Sequence, residues 1–241
     1  MDASNQRALH WDYFPSLPYG EAESLQRHLR QALRHGEGQE HLLLLSHPHV
    51  YTLGRNADRS DILLSDSALE ACGIDVHECD RGGQVTYHGP GQLVGYPILN
   101  LSPDRRDIRR YVRDLQEILI LTLADFGIVA RVREGQENIG VWVGEEKIAS
   151  IGVHLSRWIT THGFALNVST DLGQFSGIVA CGLPSVKMTS MAALSSTCPP
   201  LSDVAAVCAG YFGRVFGRRL VRSQVPLVPI SPSAASPVAT S

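Results

Sequence analysis

Residues 81–92 read RGGQVTYHGPGQ, which puts four glycines, a proline, a histidine and an arginine in twelve positions. A plain turn needs one or two glycines, so the stretch is a candidate for holding something against backbone. It lacks the G-x-x-x-x-G-K-[ST] pattern of a phosphate loop. Its continuation, QLVGYPILNL, reads as a strand rather than the helix that a dinucleotide fingerprint requires. Two readings stay open. One is a bulged hairpin around Gly89-Pro90-Gly91; the other is a wall of backbone N–H groups that a ligand approaches closely because glycine has no Cβ.

Five cysteines, at 72, 79, 181, 198 and 208, form no C-x-x-C pair and no disulfide or zinc framework. Cys208 falls on an apolar helical stripe and reads as core. Cys181, in SGIVACGLPS, ends a β-like run directly before glycine, a position from which a side chain can face a cleft or simply pack. The ten histidines lie in separate segments without ligand spacing, so no metal site is expected. Arg105, Arg109 and Arg113, four apart in DRRDIRRYVRD, would share a helix face, either solvated or docking an acidic partner.

The elements that must position these groups follow from periodicity. A helix is expected over 21–35, with Ala22, Leu25, Leu29, Ala32 and Leu33 as its stripe and Gly36 closing it. HLLLLSH and VYTLG read as strands. A second helix is expected from a Ser102 cap with Pro103 in its first turn, running up to Gly127. ENIGVWVGEEKIASIGVHL reads as a hairpin turning at 144–146, WITTHGFALNV as a further strand, and a last helix starts near Ser202. Strands grouped among helices predict an α+β fold with a mixed, largely antiparallel sheet. Residues 1–222 would form a single domain, and the Pro/Ser/Ala-rich segment 223–241 a disordered tail.

The 241 residues, 44% apolar and 19% charged, suffice for a sizeable core. A net charge of −3 argues against nucleic acid as a partner. The start shows no charged-then-apolar signal and no run reaches the length of a membrane span, so a cytoplasmic location is expected.

Three long motifs carry a resemblance: RGGQVTYHGPGQLVGYPILNL (81–101), GVWVGEEKIASIGVHLSRWITTHGFALNV (140–168) and ACGLPSVKMTSM (180–191), with YTLGRNADRSDIL (51–63) upstream. Together, over roughly residues 10 to 222, the chain resembles the lipoyl(octanoyl) transferase family, which shares its fold with lipoate and biotin protein ligases. The resemblance implies transfer of an octanoyl group from acyl carrier protein, through a cysteine thioester, to a lysine of a lipoyl domain. The acceptors would be 2-oxoacid dehydrogenase E2 subunits and the glycine cleavage H protein. Cys181 would be the nucleophile and Lys147 the lysine that tunes it. The acyl and pantetheine pocket would be lined by Arg81, Gly82, Gly83, Gln84, Val85, Thr86, Tyr87 and His88, by Ser150, Ile151 and Gly152, and by Gly163, Phe164 and Ala165. Because a thioester donor is already activated, neither ATP nor a metal would be required. Ala180 stands where the family often has proline, a change that removes no chemical group. The alternatives are an ATP-dependent lipoate or biotin ligase of the same fold and a non-catalytic carrier-binding module.

Overall fold

The computed structural model describes residues 6–135, 139–179 and 186–223. Its centre is set by four successive leucines in strand β2 (Glu40–Leu45), Leu42 to Leu45, all fully buried. Alternate strand side chains face opposite ways. Leu42 and Leu44 accordingly enter one core, and Leu43 and Leu45 another. A strand apolar on both faces needs cover on both, and helices supply it.

Among the described residues the main sheet has seven strands in the order β10 (Arg219–Arg222), β1 (Ala8–Phe14), β2, β6 (Gln92–Ile98), β9 (Ile159–Asn167), β8 (Glu146–Ser156) and β7 (Gly140–Val143). β1 runs parallel to both its neighbours and the other pairs are antiparallel, so the sheet is mixed and largely antiparallel as expected. Helices α3 (Ile108–Asp125) and α5 (Leu201–Phe216) cover one face through Leu115, Leu119, Cys208 and Phe212. Burial pushes the Cys208 thiol up to about 12, which makes it inert core. Helix α1 (Tyr19–His35) covers the other face through Ala22 and Leu29. A second sheet of three strands, β4 (Asp75–Glu78), β3 (Val50–Leu53) and β5 (Val85–His88), has its own core around Tyr51, Tyr87 and Phe175. Short helices α2 (Asp66–Cys72) and α4 (Met191–Leu194) complete the α-helices of the described residues.

Three expectations are corrected. α3 starts at Ile108, not at Pro103, because Asp107 is the cap: its carboxylate accepts from the N–H groups of Arg109 and Arg110 at 2.8 and 3.0 Å. Arg105 therefore lies outside the helix. Its guanidinium pairs with Asp114, donates to the Val215 carbonyl and stacks over Phe216 at 4.8 Å, so Arg105, Arg109 and Arg113 form no common face. Finally, Gly89-Pro90-Gly91 closes no hairpin. β5 pairs with β3 while β6 pairs with β2 and β9, and the glycine–proline link carries the chain from one sheet to the other. Neither β1 nor β10 has a counterpart in the expected elements, and RLVR of β10 is too short to show a period. The segment 224–241 lies outside the described residues, as does Cys181.

Candidate active site

β8 and β9 bring two of the recognised segments together directly. Ser150 pairs with Ala165, Ile151 with Phe164 and Gly152 with Gly163. Side-chain alternation then divides them: Ile151 and Phe164 pack toward α3 and α5, and Ala165 packs toward α1. The two glycines leave a bare strip of sheet, and neighbouring backbone occupies it. The Gly82 N–H donates to the Val153 carbonyl at 3.0 Å. A Cβ on Gly152 would stand 2.9 Å from the Gly82 carbonyl oxygen, and one on Gly163 would collide with the Gly95 carbonyl of β6. The turn at 81–83 thus lies across β8 because Gly152 has no side chain. Gly152→Ala is expected to displace this turn, lowering kcat/KM about tenfold while unfolding stays cooperative. Unchanged kinetics with an unchanged melting temperature would contradict that coupling.

Arg81 shapes the turn from within. Its guanidinium donates to the Thr52 carbonyl at 2.6 Å, to the Thr52 hydroxyl and to the Gly82 carbonyl. Gln84 is half-buried, and Val85 and Tyr87 point into the small-sheet core, with the Tyr87 hydroxyl against His49 Nδ1 at 2.8 Å. Thr86 and His88 occupy the opposite face of that strand. His88 lies against the rings of Tyr19 and His47.

Lys147 is 2% exposed. The register between β7 and β8 shifts at Val141/Trp142, and such a bulge re-aims the side chains beside it. The Lys147 side chain runs over Gly140, the residue paired with Ser150, and its ammonium lies 5.5 Å from the Trp142 ring centroid. Its backbone is held on the other side. The Lys147 N–H donates to the Lys187 carbonyl at 2.8 Å, and the Thr189 N–H donates to the Lys147 carbonyl at 2.9 Å. Before the undescribed residues 180–185, the Val179 N–H donates to the Asp61 carbonyl and Ile178 bridges Ile62. The chain on either side of Cys181 is therefore anchored, on one side to residues 61–62 and on the other to Lys147.

Several polar residues of this region escaped the sequence reading. A cavity of about 460 Å³ opens beside the 81–83 turn, between α1 and the start of β9, lined in part by Gln26, Arg30, Arg55, Asp80 and His162. His162 has φ 55 inside a strand, a strained conformation for a side-chain-bearing residue. Its N–H donates to Gln26 Oε1 and its Nε2–H to the Asp80 carboxylate, both at 2.7 Å. That bond from His162 is the main reason the Asp80 carboxyl is held down at about 2. His47 donates from Nδ1 to the Leu17 carbonyl and accepts at Nε2 from the Tyr96 hydroxyl. The glycine signature drew attention to 81–92, whereas these histidines, scattered in sequence without ligand spacing, suggested no role.

Burial lowers the His47 imidazole to about 4. The folded chain then refuses a proton that the unfolded chain takes below about 6.5. Stability contributed this way is complete above about pH 6.5 and is lost as pH falls toward 4, at about 1.4 kcal/mol per pH unit for this one group. His88, also held neutral by burial, acts in the same direction. Denaturant unfolding between pH 7.5 and 4.5 is expected to show this acid-side loss, and a flat profile would contradict it.

Comparison with known proteins places the chain in a family. The family description of the lipoyl protein ligase A/B catalytic domain matches residues 18–213. An octanoyltransferase of Solibacter usitatus is 52% identical over 201 residues, 83% of this chain and 89% of that one. One from Acidobacterium capsulatum is 46% identical over 87% of this chain and 91% of its own. A lipoate-protein ligase A solved with bound ATP superimposes with a TM-score of 0.73 over 90% of this chain and 88% of its own, at 18% identity, and so shares the fold. Among the described residues, no helix is long and apolar enough to cross a membrane. The chain belongs to the lipoyl protein ligase A/B catalytic-domain family, on its octanoyltransferase branch.

Proposed function

We propose that this chain transfers an octanoyl group from the phosphopantetheine thioester of acyl carrier protein to a lysine amine of a lipoyl domain, in two steps through Cys181. In the first, the Cys181 thiolate attacks the thioester carbonyl, the carbon–sulfur bond to phosphopantetheine breaks and phosphopantetheine leaves as its thiolate, which takes a proton from solvent. In the second, the lysine amine of the acceptor attacks the acyl-cysteine, and the Cys181 thiol is regenerated as the amide forms. Exchange of one thioester for another is nearly isoenergetic, so a cysteine divides the transfer without needing ATP.

The observation that carries the reading is the placement of Lys147: buried, re-aimed by a bulge and hydrogen-bonded through its backbone to Lys187 and Thr189. Burying an ammonium is costly, and the cost is offset where an anion such as a thiolate shares the site. A cation within about 4 Å lowers a thiol's pKa by one to two units from about 8.5, which raises the thiolate fraction at pH 7 roughly tenfold per unit. Within the glycine turn the Gly82 N–H is committed to the Val153 carbonyl, which leaves the Gly83 N–H as the candidate donor to the developing oxyanion. Acceptor domains would be those of 2-oxoacid dehydrogenase E2 subunits and the glycine cleavage H protein. The cytoplasm, where acyl carrier protein works, would be the compartment.

The test is a transfer assay with purified full-length chain, followed by the mass of the acceptor domain. Octanoyl-acyl carrier protein alone is expected to octanoylate the lipoyl domain. Activity only with ATP and free octanoate would overturn the reading in favour of a ligase, and binding without transfer would overturn it in favour of a carrier-binding module.

A further inference from the structure

We propose that Gln92 and Asn167 are positioning residues that fix His88 in the tautomer carrying its proton on Nδ1 and tie it to the strand segment bonded to Lys147. The bearing of this on catalysis rests on the acyl-transfer reading above; the tautomer itself does not.

The polarity of the network can be read from one end. A backbone carbonyl only accepts, so the group 3.0 Å from the Thr189 oxygen must be the amide NH2 of Asn167. Asn167 Oδ1 is then left to accept, and it does so from Gln92 Nε2 at 3.0 Å. Gln92 Nε2 also donates to the Tyr87 carbonyl at 3.2 Å, which fixes the same orientation of the Gln92 amide independently. Gln92 Oε1, an oxygen without a proton, is therefore the atom 2.7 Å from His88 Nδ1. The imidazole must supply the hydrogen, so Nδ1 is protonated and Nε2 of the neutral ring carries the lone pair.

Two features give this chain its leverage. Gln92 and Asn167 face each other across β6 and β9, so the sheet register itself sets their contact. Gln92, Asn167 and Thr189 are each 1% exposed, and a satisfied network in so dry a place is stiff. Thr189 then passes the constraint on, since its own N–H donates to the Lys147 carbonyl at 2.9 Å. Burial, with His47, Arg81 and His162 nearby, keeps the imidazole neutral. Nε2 has no hydrogen-bond partner among the described residues, so whatever substrate group meets it must donate a proton-bearing N, O or S.

The measurement is a long-range 1H–15N spectrum of the full chain labelled with 15N-histidine, with His88 assigned from its loss in His88→Gln. A protonated Nδ1 and an unprotonated Nε2 are expected. Gln92→Met removes the acceptor and should average the two tautomers, with kcat/KM for transfer falling about tenfold. Gln92→Glu keeps an acceptor at Nδ1 and should keep the Nδ1–H form. A wild-type spectrum showing Nε2–H, or an unchanged tautomer in Gln92→Met, overturns the proposal. If Gln92→Met does not fold, the wild-type spectrum alone decides. An Nδ1–H ring in a chain that transfers no octanoyl group would overturn the acyl-transfer reading and leave this inference standing.

Discussion

Cys181→Ser is expected to lower octanoyl transfer by roughly 10³-fold or more, with the folded chain and its melting temperature preserved. A hydroxyl differs from a thiol by one atom, yet its pKa lies far above any value that one neighbouring ammonium can bring to neutrality. Acyl transfer onto serine would also yield an oxygen ester, which an amine attacks much more slowly than a thioester. Both steps of the proposed sequence suffer together. Measuring kcat/KM with octanoyl-acyl carrier protein and a lipoyl domain decides it: near-normal turnover of Cys181→Ser would remove the cysteine from the mechanism.

Lys147→Met should cost about 10²-fold at pH 7, through loss of the cation rather than of volume. The signature lies in the pH profile. Without the ammonium, the thiol returns toward its ordinary value near 8.5, so the activity of the variant should climb about tenfold per pH unit between 6.5 and 8.5. The wild type, whose thiolate forms earlier, should level off one to two units lower. A variant whose profile parallels that of the wild type at reduced height would show that Lys147 acts by packing under Trp142 and Gly140 instead. Methionine is a suitable probe because it fills most of the buried space a lysine stem leaves.

The fold was legible wherever burial imposed a pattern on the chain. HLLLLSH forms the strand β2, the α1 stripe ends at Gly36, and the hairpin expected to turn at 144–146 turns at Gly144 and Glu145. Failures came where a local signal competed with a tertiary one. Ser102-Pro103 looked like a helix start, but Asp107 satisfies the free N–H groups of α3 and Arg105 is committed to Asp114 and Phe216. Gly89-Pro90-Gly91 looked like a hairpin because nothing local reveals that Tyr87 belongs to one core and Leu93 to another. The glycines at 152 and 163 could be named from resemblance, but their register against each other, and the carbonyls of Gly82 and Gly95 that require them, needed the sheet. Gln92 and Asn167 were invisible for a simpler reason. Seventy-five positions separate them, and an amide has no periodic signature; only antiparallel pairing of β6 with β9 brings them to 3.0 Å.

The most direct test of the account is the intact mass of the full-length chain after mixing with octanoyl-acyl carrier protein in the absence of acceptor. One octanoyl group is expected, located on Cys181 by peptide mapping, labile to hydroxylamine and discharged when a lipoyl domain is added. An unmodified chain that nevertheless octanoylates the acceptor, or an adduct that the acceptor cannot discharge, would contradict transfer through a Cys181 thioester.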